Sequence, residues 1–278
     1  MDKLLIVDGH NLLFQMFYGM PSRIVNKDGK AIHGVLGFVG ALLKIIRIIE
    51  PTHAVVLFDS EQKNKRSDLD PRYKADRTDY SQVLEQDNPF SQLSYVYDAL
   101  DYMKILHTEV KGCETDDMIA SYAFNYTETK IIISSFDSDF FQLINENVSV
   151  LRYRGKISVI CDSDYVYKKY GILPSQYVDF KSLTGDKADN ISGARGIGIK
   201  NAATLITQFG TLENIIANAE EIAKPSIRKS VLDNTERLRL NQRLIRLNGG
   251  EKLPFDIDEL KYRAVESKTS AIISGIGL

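Results

Sequence analysis

Apolar residues along this chain come in short runs that stop at an acid or a glycine. Lys3 to Val7 is one such run and ends at Asp8-Gly9, the pattern of a buried strand with a turn after it. Ala54 to Phe58 is a second, ended by Asp59, and Ile131 to Ser134 is a third, with Asp137 and Asp139 just beyond it. Between the first two, Val35, Phe38, Val39, Leu42, Leu43 and Ile46 recur at helical spacing from Gly34 to Ile49, and Glu50-Pro51 stops them. Strands alternating with helices predict an α/β fold with a mostly parallel central sheet flanked by helices.

Two stretches leave this rhythm. Ser60 to Asn88 is polar, with Lys63, Lys65, Arg66, Arg72, Lys74 and Arg77 set among Glu61, Asp68, Asp70, Asp76 and Asp79. It is too long for an ordinary α/β connection, and pattern alone leaves a functional insertion and a solvated loop both open. After Leu151, Arg152 to Ile160 reads as a hairpin, and from Asp162 the chain is mostly helical. A Gly-rich break at 193–198 and a basic helix over Ser226–Leu247 complete the reading. The expected division is an α/β core over 1–175, with the insertion at about 60–90, and a helical subdomain over 176–278 packed on it.

Composition narrows the classes. With 278 residues, 44% hydrophobic and 26% charged, the chain has enough apolar surface for a real core, which excludes wholesale disorder. No apolar run nears the roughly 20 residues of a membrane helix. Cys113 and Cys161 are too few for a disulfide scaffold or a Cys-rich zinc site, so a reducing, cytoplasmic setting is the default expectation. A net charge of −2 argues against a non-specific nucleic-acid coat, unless acids and bases are segregated.

The acids are the candidate chemistry. In an open parallel sheet ligands bind at the carboxyl ends of strands, where Asp8, Asp59, Asp137 and Asp139 fall. Glu114, Asp116 and Asp117 precede the apolar run Met118-Ile119-Ala120, where helix capping alone would account for them. Converging acids repel unless cations compensate, and oxygen-only donors suit Mg²⁺ or Mn²⁺. Two such ions about 4 Å apart are the usual apparatus of phosphodiester hydrolysis, activating water and stabilising the leaving oxygen. His10, His33, His53 and His107 show no ligand spacing. The residues alone therefore point to a metal-dependent enzyme that cleaves phosphoryl bonds.

A second motif follows. Leu183-Thr184-Gly185-Asp186-Lys187-Ala188-Asp189-Asn190 carries two more acids and leads into Gly193-Ala194-Arg195-Gly196-Ile197-Gly198-Ile199-Lys200. Glycines that open a helix let backbone N–H groups hold a phosphate. No strand precedes this turn and no Gly-Lys-Ser/Thr is present, so it is neither a dinucleotide fingerprint nor a Walker loop.

Seven segments in order, LLIVDGHNLLF, HGVLGFVGALLK, VVLFDS, RYKADR, CETDDMIASYA, SSFDSDFFQL and LTGDKADNISGARGIGIKNAATLI, closely resemble the 5′ nuclease family. This family comprises the 5′–3′ exonuclease domain of bacterial DNA polymerase I and the flap endonucleases. The resemblance implies cleavage of branched DNA near the junction of a 5′ single strand with duplex, with two Mg²⁺ or Mn²⁺ ions. It implies a helical arch at 60–90 and a C-terminal helical subdomain that binds duplex by a helix–hairpin–helix-like turn. By matching positions, Asp8, Asp59, Glu114 and Asp116, with Asp117 beside them, resemble the first metal's cluster. Asp137, Asp139, Asp186 and Asp189 resemble the second's. Lys74 and Arg77 resemble the basic residues that engage the scissile phosphate. Tyr18 resembles an aromatic that stacks on a base, although it could equally be core. Gly196, Gly198 and Lys200 resemble the duplex-binding turn, which often holds K⁺ on backbone carbonyls.

Some positions depart from the family. Asp137-Ser138-Asp139 lacks the usual central Lys, so altered metal affinity rather than lost activity is expected. Asn190-Ile191-Ser192-Gly193 lacks a Pro, and Cys113 stands where an aromatic is common. The chain is expected to be a monomer, either a stand-alone nuclease or a fragment of a polymerase. Three rivals remain: a haloacid-dehalogenase-type phosphatase built on Asp137 and Asp139, a PIN-type ribonuclease, and a non-catalytic junction-binding module. The Phe140-Phe141 pair speaks against the first, the basic insertion and Gly-rich turn against the second, and nine placed carboxylates against the third.

Overall fold

The computed structural model describes residues 2–60, 65–263 and 268–278. Glu61 and Lys63 of the polar segment lie outside the described residues. The first half alternates β1 (Lys3–Asp8), α1 (Gly9–Gly19), α2 (His33–Ile49), β2 (His53–Asp59), α3 (Lys65–Leu69), α4 (Leu93–Tyr102), β3 (Leu106–Val110), α5 (Thr115–Asn125) and β4 (Lys130–Ser134). Then come β5 (Val148–Arg152), β6 (Val159–Cys161), α6 (Ser163–Tyr170), α7 (Tyr177–Thr184) and a two-stranded ribbon of β7 (Gly185–Asp186) and β8 (Ile191–Ser192). The remaining helices are α8 (Ile199–Phe209), α9 (Leu212–Ala217), α10 (Pro225–Asp233), α11 (Thr235–Ile245) and α12 (Thr269–Gly275). None of the described helices is long and apolar enough to cross a membrane.

The main sheet has six strands in the order β3-β2-β1-β4-β5-β6, parallel except for the hairpin that adds β6. The interior positions of its central strands β1, β2 and β4 are all apolar because both faces are covered. Leu4, Ile6, Val55, Leu57, Ile131 and Ile133 belong to one core, shared with α5 and the C-terminal helices. Leu5, Val7, Ala54, Val56, Phe58 and Ile132 belong to the other, with residues of α1, α2, α4 and α12. Helices α8 to α10 therefore extend the core of one sheet face, while α12 packs on the other. β1, β2 and β4 are adjacent, so the acids that follow them emerge side by side.

The expected basic helix is two helices. Its apolar positions (Ile227, Val231, Leu238, Ile245) keep one helical phase, which is why the sequence reads as continuous. The break is local: the Asn234 N–H turns back to Val231 O, and its Nδ2 donates to Ser230 O at 2.8 Å. Such side-chain bonds to backbone compete with helix continuation.

The polar segment is less solvated than its composition suggests. Among its described residues, the only α-helix is α3; three single 3₁₀ turns follow at 80–82, 85–87 and 89–92. Arg66, Asp70 and Tyr73 are buried and tie it to the body. The stretch from Arg66 to Tyr73 is thus pinned to the body.

Candidate active site

Asp8 ends β1 and caps α1, accepting the Asn11 N–H at 3.1 Å and the Ser135 hydroxyl at 2.8 Å. Asp59 ends β2 and accepts the Thr115 N–H at 3.0 Å, which brings the start of α5 to the same edge. Asp137 follows β4; its N–H donates to Ser135 Oγ at 3.0 Å, and its carboxylate accepts the Asp139 N–H at 2.7 Å. Asp116 completes a quartet with Asp8, Asp59 and Asp137 around one cavity of about 1000 Å³. Burial first, then Asp59, pushes the Asp8 carboxyl up to about 7. Burial, then Asp137, raises Asp116 well above the carboxylate range. Among the described residues no Lys or Arg lies within ion-pair distance of any of the four.

The cavity's other walls are basic and aromatic. Lys74 and Arg77 line it, together with His10, Phe14, Tyr80, Phe90, Phe136 and Arg154. Lys74 has a left-handed backbone (φ 56°), and its N–H donates to Asp189 O at 3.0 Å, so the insertion docks on the ribbon. Asn190, also left-handed, donates from Nδ2 to Arg72 O at 3.0 Å. The Lys74 ammonium reaches Glu114 at 2.8 Å and Arg77 reaches Asp189 at 3.3 Å. Burial would lower the Lys74 ammonium, but Asp116, Glu114 and Asp189 outweigh it and raise it, so it stays charged.

A second acidic group lies beside the quartet. Asp139, Asp186 and Asp189 can each direct one oxygen into a common site, the three atoms lying within 4.8 Å of one another. Two glycines build its frame. A Cβ on Gly185 (φ +78°) would stand 2.4 Å from Gly193 N, and one on Gly193 would stand 2.3 Å from the Thr184 carbonyl carbon. Buried Asn241 fastens the ribbon to α11 by donating to Ser182 O and Ser192 O at 3.0 and 2.9 Å. Burial and Asp137 push Asp139 up to about 7 despite Lys181, and burial also raises Asp189.

Glu114 and Asp117 sit differently. Arg66 holds Glu114 at 2.6 Å and Asp117 by two bonds of 2.8 and 2.7 Å, and donates to Arg246 O. Glu114 also accepts from the Tyr73 hydroxyl at 3.1 Å, and Asp117 from the Asn248 N–H at 2.8 Å. Asp117 therefore lies in an Arg66 lock, away from the cavity lining. Tyr18 is 59% exposed, not core, with its hydroxyl 3.2 Å from that of Tyr80. Gly196 (φ +81°), Gly198 and Lys200 open α8 outside the cavity, and Asn201 Nδ2 donates to Gly196 O at 2.8 Å.

The donor chemistry fits hard divalent cations. Every donor is a carboxylate oxygen, no Lys or Arg among the described residues is within ion-pair distance of Asp8 or Asp116 although Lys74 acts on Asp116 from farther away, and buried Asp139 Oδ1 accepts no hydrogen bond. Asp139, Asp186 and Asp189 would hold one ion, and the quartet would hold another.

A sequence profile described as "5'-3' exonuclease, N-terminal resolvase-like domain" matches residues 3–171, and one described as "5'-3' exonuclease, C-terminal SAM fold" matches 172–268. The chain belongs to the 5′–3′ exonuclease family. It is 34% identical over 269 residues to DNA polymerase I of Rhizobium leguminosarum, covering 93% of this chain and 26% of that protein. It is 32% identical over 277 residues to DNA polymerase I of Borreliella burgdorferi, covering 99% and 29%. The chain thus spans less than a third of the length of these relatives. Its fold is similar to a bacteriophage T5 flap endonuclease in a pseudo-enzyme-product complex with DNA and metal ions (TM-score 0.72, 22% identity, 99% and 100% of the two chains). It is also similar to a T5 5′-exonuclease with bound zinc (TM-score 0.71, 24% identity, 87% and 89%).

The residues missed in the sequence are those that support the acids: Arg66, Tyr73, Ser135, Lys181 and Asn241. None stands out by type or spacing. Only Arg66, inside a polar run yet almost wholly buried, carries a signal that a burial pattern could expose.

Proposed function

We propose that this 5′–3′ exonuclease-family chain is a structure-specific 5′ nuclease, a flap endonuclease and 5′–3′ exonuclease that hydrolyses phosphodiesters of branched DNA near the single-strand/duplex junction. The observation that carries the reading is one cavity with Asp8, Asp59, Asp116 and Asp137 on its floor and Lys74 and Arg77 on its wall. A phosphate entering between them meets cations on one side and, on the other, carboxylates that would hold divalent ions.

The division of labour follows from position. Duplex DNA binds through its phosphates at Gly196, Gly198 and Lys200, where K⁺ on backbone carbonyls would add charge, and without sequence readout. The 5′ strand passes under the 60–90 segment, and Tyr18, exposed at the end of α1, stacks on a base near the cut. Lys74 exchanges Glu114 for the scissile phosphate, and Arg77 leaves Asp189 to do the same, so both stabilise charge that develops on the phosphate. When bound, Mg²⁺ or Mn²⁺ supplies water activation and charge neutralisation at the leaving oxygen. Asp8, Asp59, Asp116 and Asp137 would hold one ion, and Asp139, Asp186 and Asp189 the other. The products are a 5′-phosphate and a 3′-hydroxyl. The protein works as a monomer, with residues 1–175 as the nuclease core and 176–278 as the duplex-binding part.

The test is incubation of the purified chain with an end-labelled 5′-flap duplex, a blunt duplex and a single strand, each with Mg²⁺ and with EDTA. Cutting at the flap junction that EDTA abolishes is the expected result. Tight flap binding without cutting in Mg²⁺ or Mn²⁺ would replace the nuclease with a junction-binding module.

A further inference from the structure

The two acidic groups are not equally empty of positive charge. Lys181 projects from α7 into the Asp139/Asp186/Asp189 group, and its side chain is 9% exposed. Its ammonium lies 2.9 Å from Asp139 Oδ1 and forms an ion pair with Asp186. These are two of the three carboxylates able to converge on one cation. The approach to Asp139 has the distance of a strong bond but not its direction, since Oδ1 accepts no hydrogen bond. The lysine therefore stands against Asp139 without saturating that oxygen. The sequence step Asp137-Ser138-Asp139 places no cation between its acids, and α7 delivers one from elsewhere.

We propose that Lys181 is a built-in competitor for the second cation site. Its ammonium holds the carboxylates of Asp139 and Asp186 while no divalent ion is bound, and must withdraw from them when one binds. The inference rests on the metal-dependent reading above and extends it to how the two sites fill. A carboxylate group that already carries a tethered cation binds a free one more weakly, because the ion pair must first be separated and the ammonium rehydrated or re-paired. The quartet's neighbouring cation, Lys74, is paired with Glu114 and acts on Asp116 only from beyond ion-pair distance, so the quartet fills first. The consequence is a graded response, with one ion held at low concentration and the second admitted only as the concentration rises. Lys181 is thus a positioning residue for the site, not a group that touches the reacting atoms.

The experiment measures Mn²⁺ binding to the whole chain without DNA, by calorimetry and by the electron paramagnetic resonance signal of free Mn²⁺. Wild type should show a tighter and a weaker class of site. Lys181→Met should tighten the weaker class by on the order of tenfold to a hundredfold and leave the tighter class in place. Lys181→Arg should stay close to wild type. A Lys181→Met protein whose weaker class is unchanged or weakened would overturn the proposal and leave the lysine a structural tie. Amine-reactive labelling read by mass spectrometry gives a check in the unmutated protein. Lys181 should be protected in EDTA and become labelled as the weaker class fills, and protection that persists at saturation contradicts displacement. Absence of any saturable Mn²⁺ binding to wild type would instead sink the metal-dependent reading itself. Should Lys181→Met fail to fold, Lys181→Gln keeps the hydrogen-bonding capacity without the charge and tests the same point.

Discussion

The quartet of Asp8, Asp59, Asp116 and Asp137 and the trio of Asp139, Asp186 and Asp189 meet the same problem in different ways. Both crowd carboxylates where burial is costly. Two members of the quartet answer with protons: Asp8 is pushed up to about 7, and burial, then Asp137, raises Asp116 well above the carboxylate range. The trio adds tethered cations, Lys181 on Asp139 and Asp186 and Arg77 on Asp189, although burial still pushes Asp139 up to about 7. The Glu114/Asp117 pair is the limiting case, held in place by Arg66. A group compensated by protons is the easiest to recharge with a metal ion, because a proton leaves readily near neutral pH. A group locked by a buried arginine is the hardest.

The comparison predicts unequal consequences for single changes, the largest in turnover. Asp116→Asn should lower the rate of flap cleavage by roughly three orders of magnitude, since metal-assisted stabilisation of transition-state charge is worth several kcal/mol. Asp186→Asn, in the trio, should lower it by only about tenfold to a hundredfold, consistent with partial loss of metal affinity. Equal losses in single-turnover assays would erase the distinction between the two groups.

Next in size is the lock. Arg66→Ala leaves Asp117 buried without its two-bond cation and takes from Glu114 one of its cations, Lys74 remaining, and should cost about 3–5 kcal/mol in a urea unfolding curve. A cost below about 1 kcal/mol, typical of exposed pairs, would mean that the pair is not the limiting case.

The pH dependence follows from the raised carboxyls. Asp8 and Asp139 hold their protons to about pH 7 in the folded chain but release them near 3.8 when unfolded. Their contribution to stability is therefore complete below about pH 4 and is lost as pH rises through about 7. In EDTA the melting temperature should fall over that interval, and divalent ions should restore it at pH 8. Asp8→Asn should flatten the slope, and the metal-free Asp116→Asn protein should melt higher than wild type at pH 8. If its melting temperature is unchanged, the quartet's repulsion has been misplaced.

The smallest effect belongs to Arg77, whose side chain is 55% exposed. Arg77→Gln should change stability by less than about 1 kcal/mol, while still slowing cleavage. A large loss of stability would move Arg77 from the substrate wall into the structural frame.

Much of this was legible before any coordinates. Strand ends after Val7 and Phe58 are visible because apolar runs buried on both faces stop abruptly where polar groups begin, and the parallel arrangement then brings Asp8 and Asp59 to one edge. Other features were not legible for identifiable reasons. β3 was missed because it is a partly exposed edge strand with little apolar content. The helix break at Asn234 was missed because the apolar phase runs straight through it.

The sequence by itself determined which residues are acids, that they follow strands or open helices, and that a Gly-rich turn lies near two of them. These are local properties, set by periodicity and by the residues each turn accepts. Only the tertiary structure decided how each acid is compensated. It put Arg66 against Glu114 and Asp117, about 50 positions away in sequence. It also left Asp8 and Asp116 to hold protons. The reason is physical: a charge's cost depends on what stands within a few ångströms in three dimensions, and neighbours along the chain supply little of that.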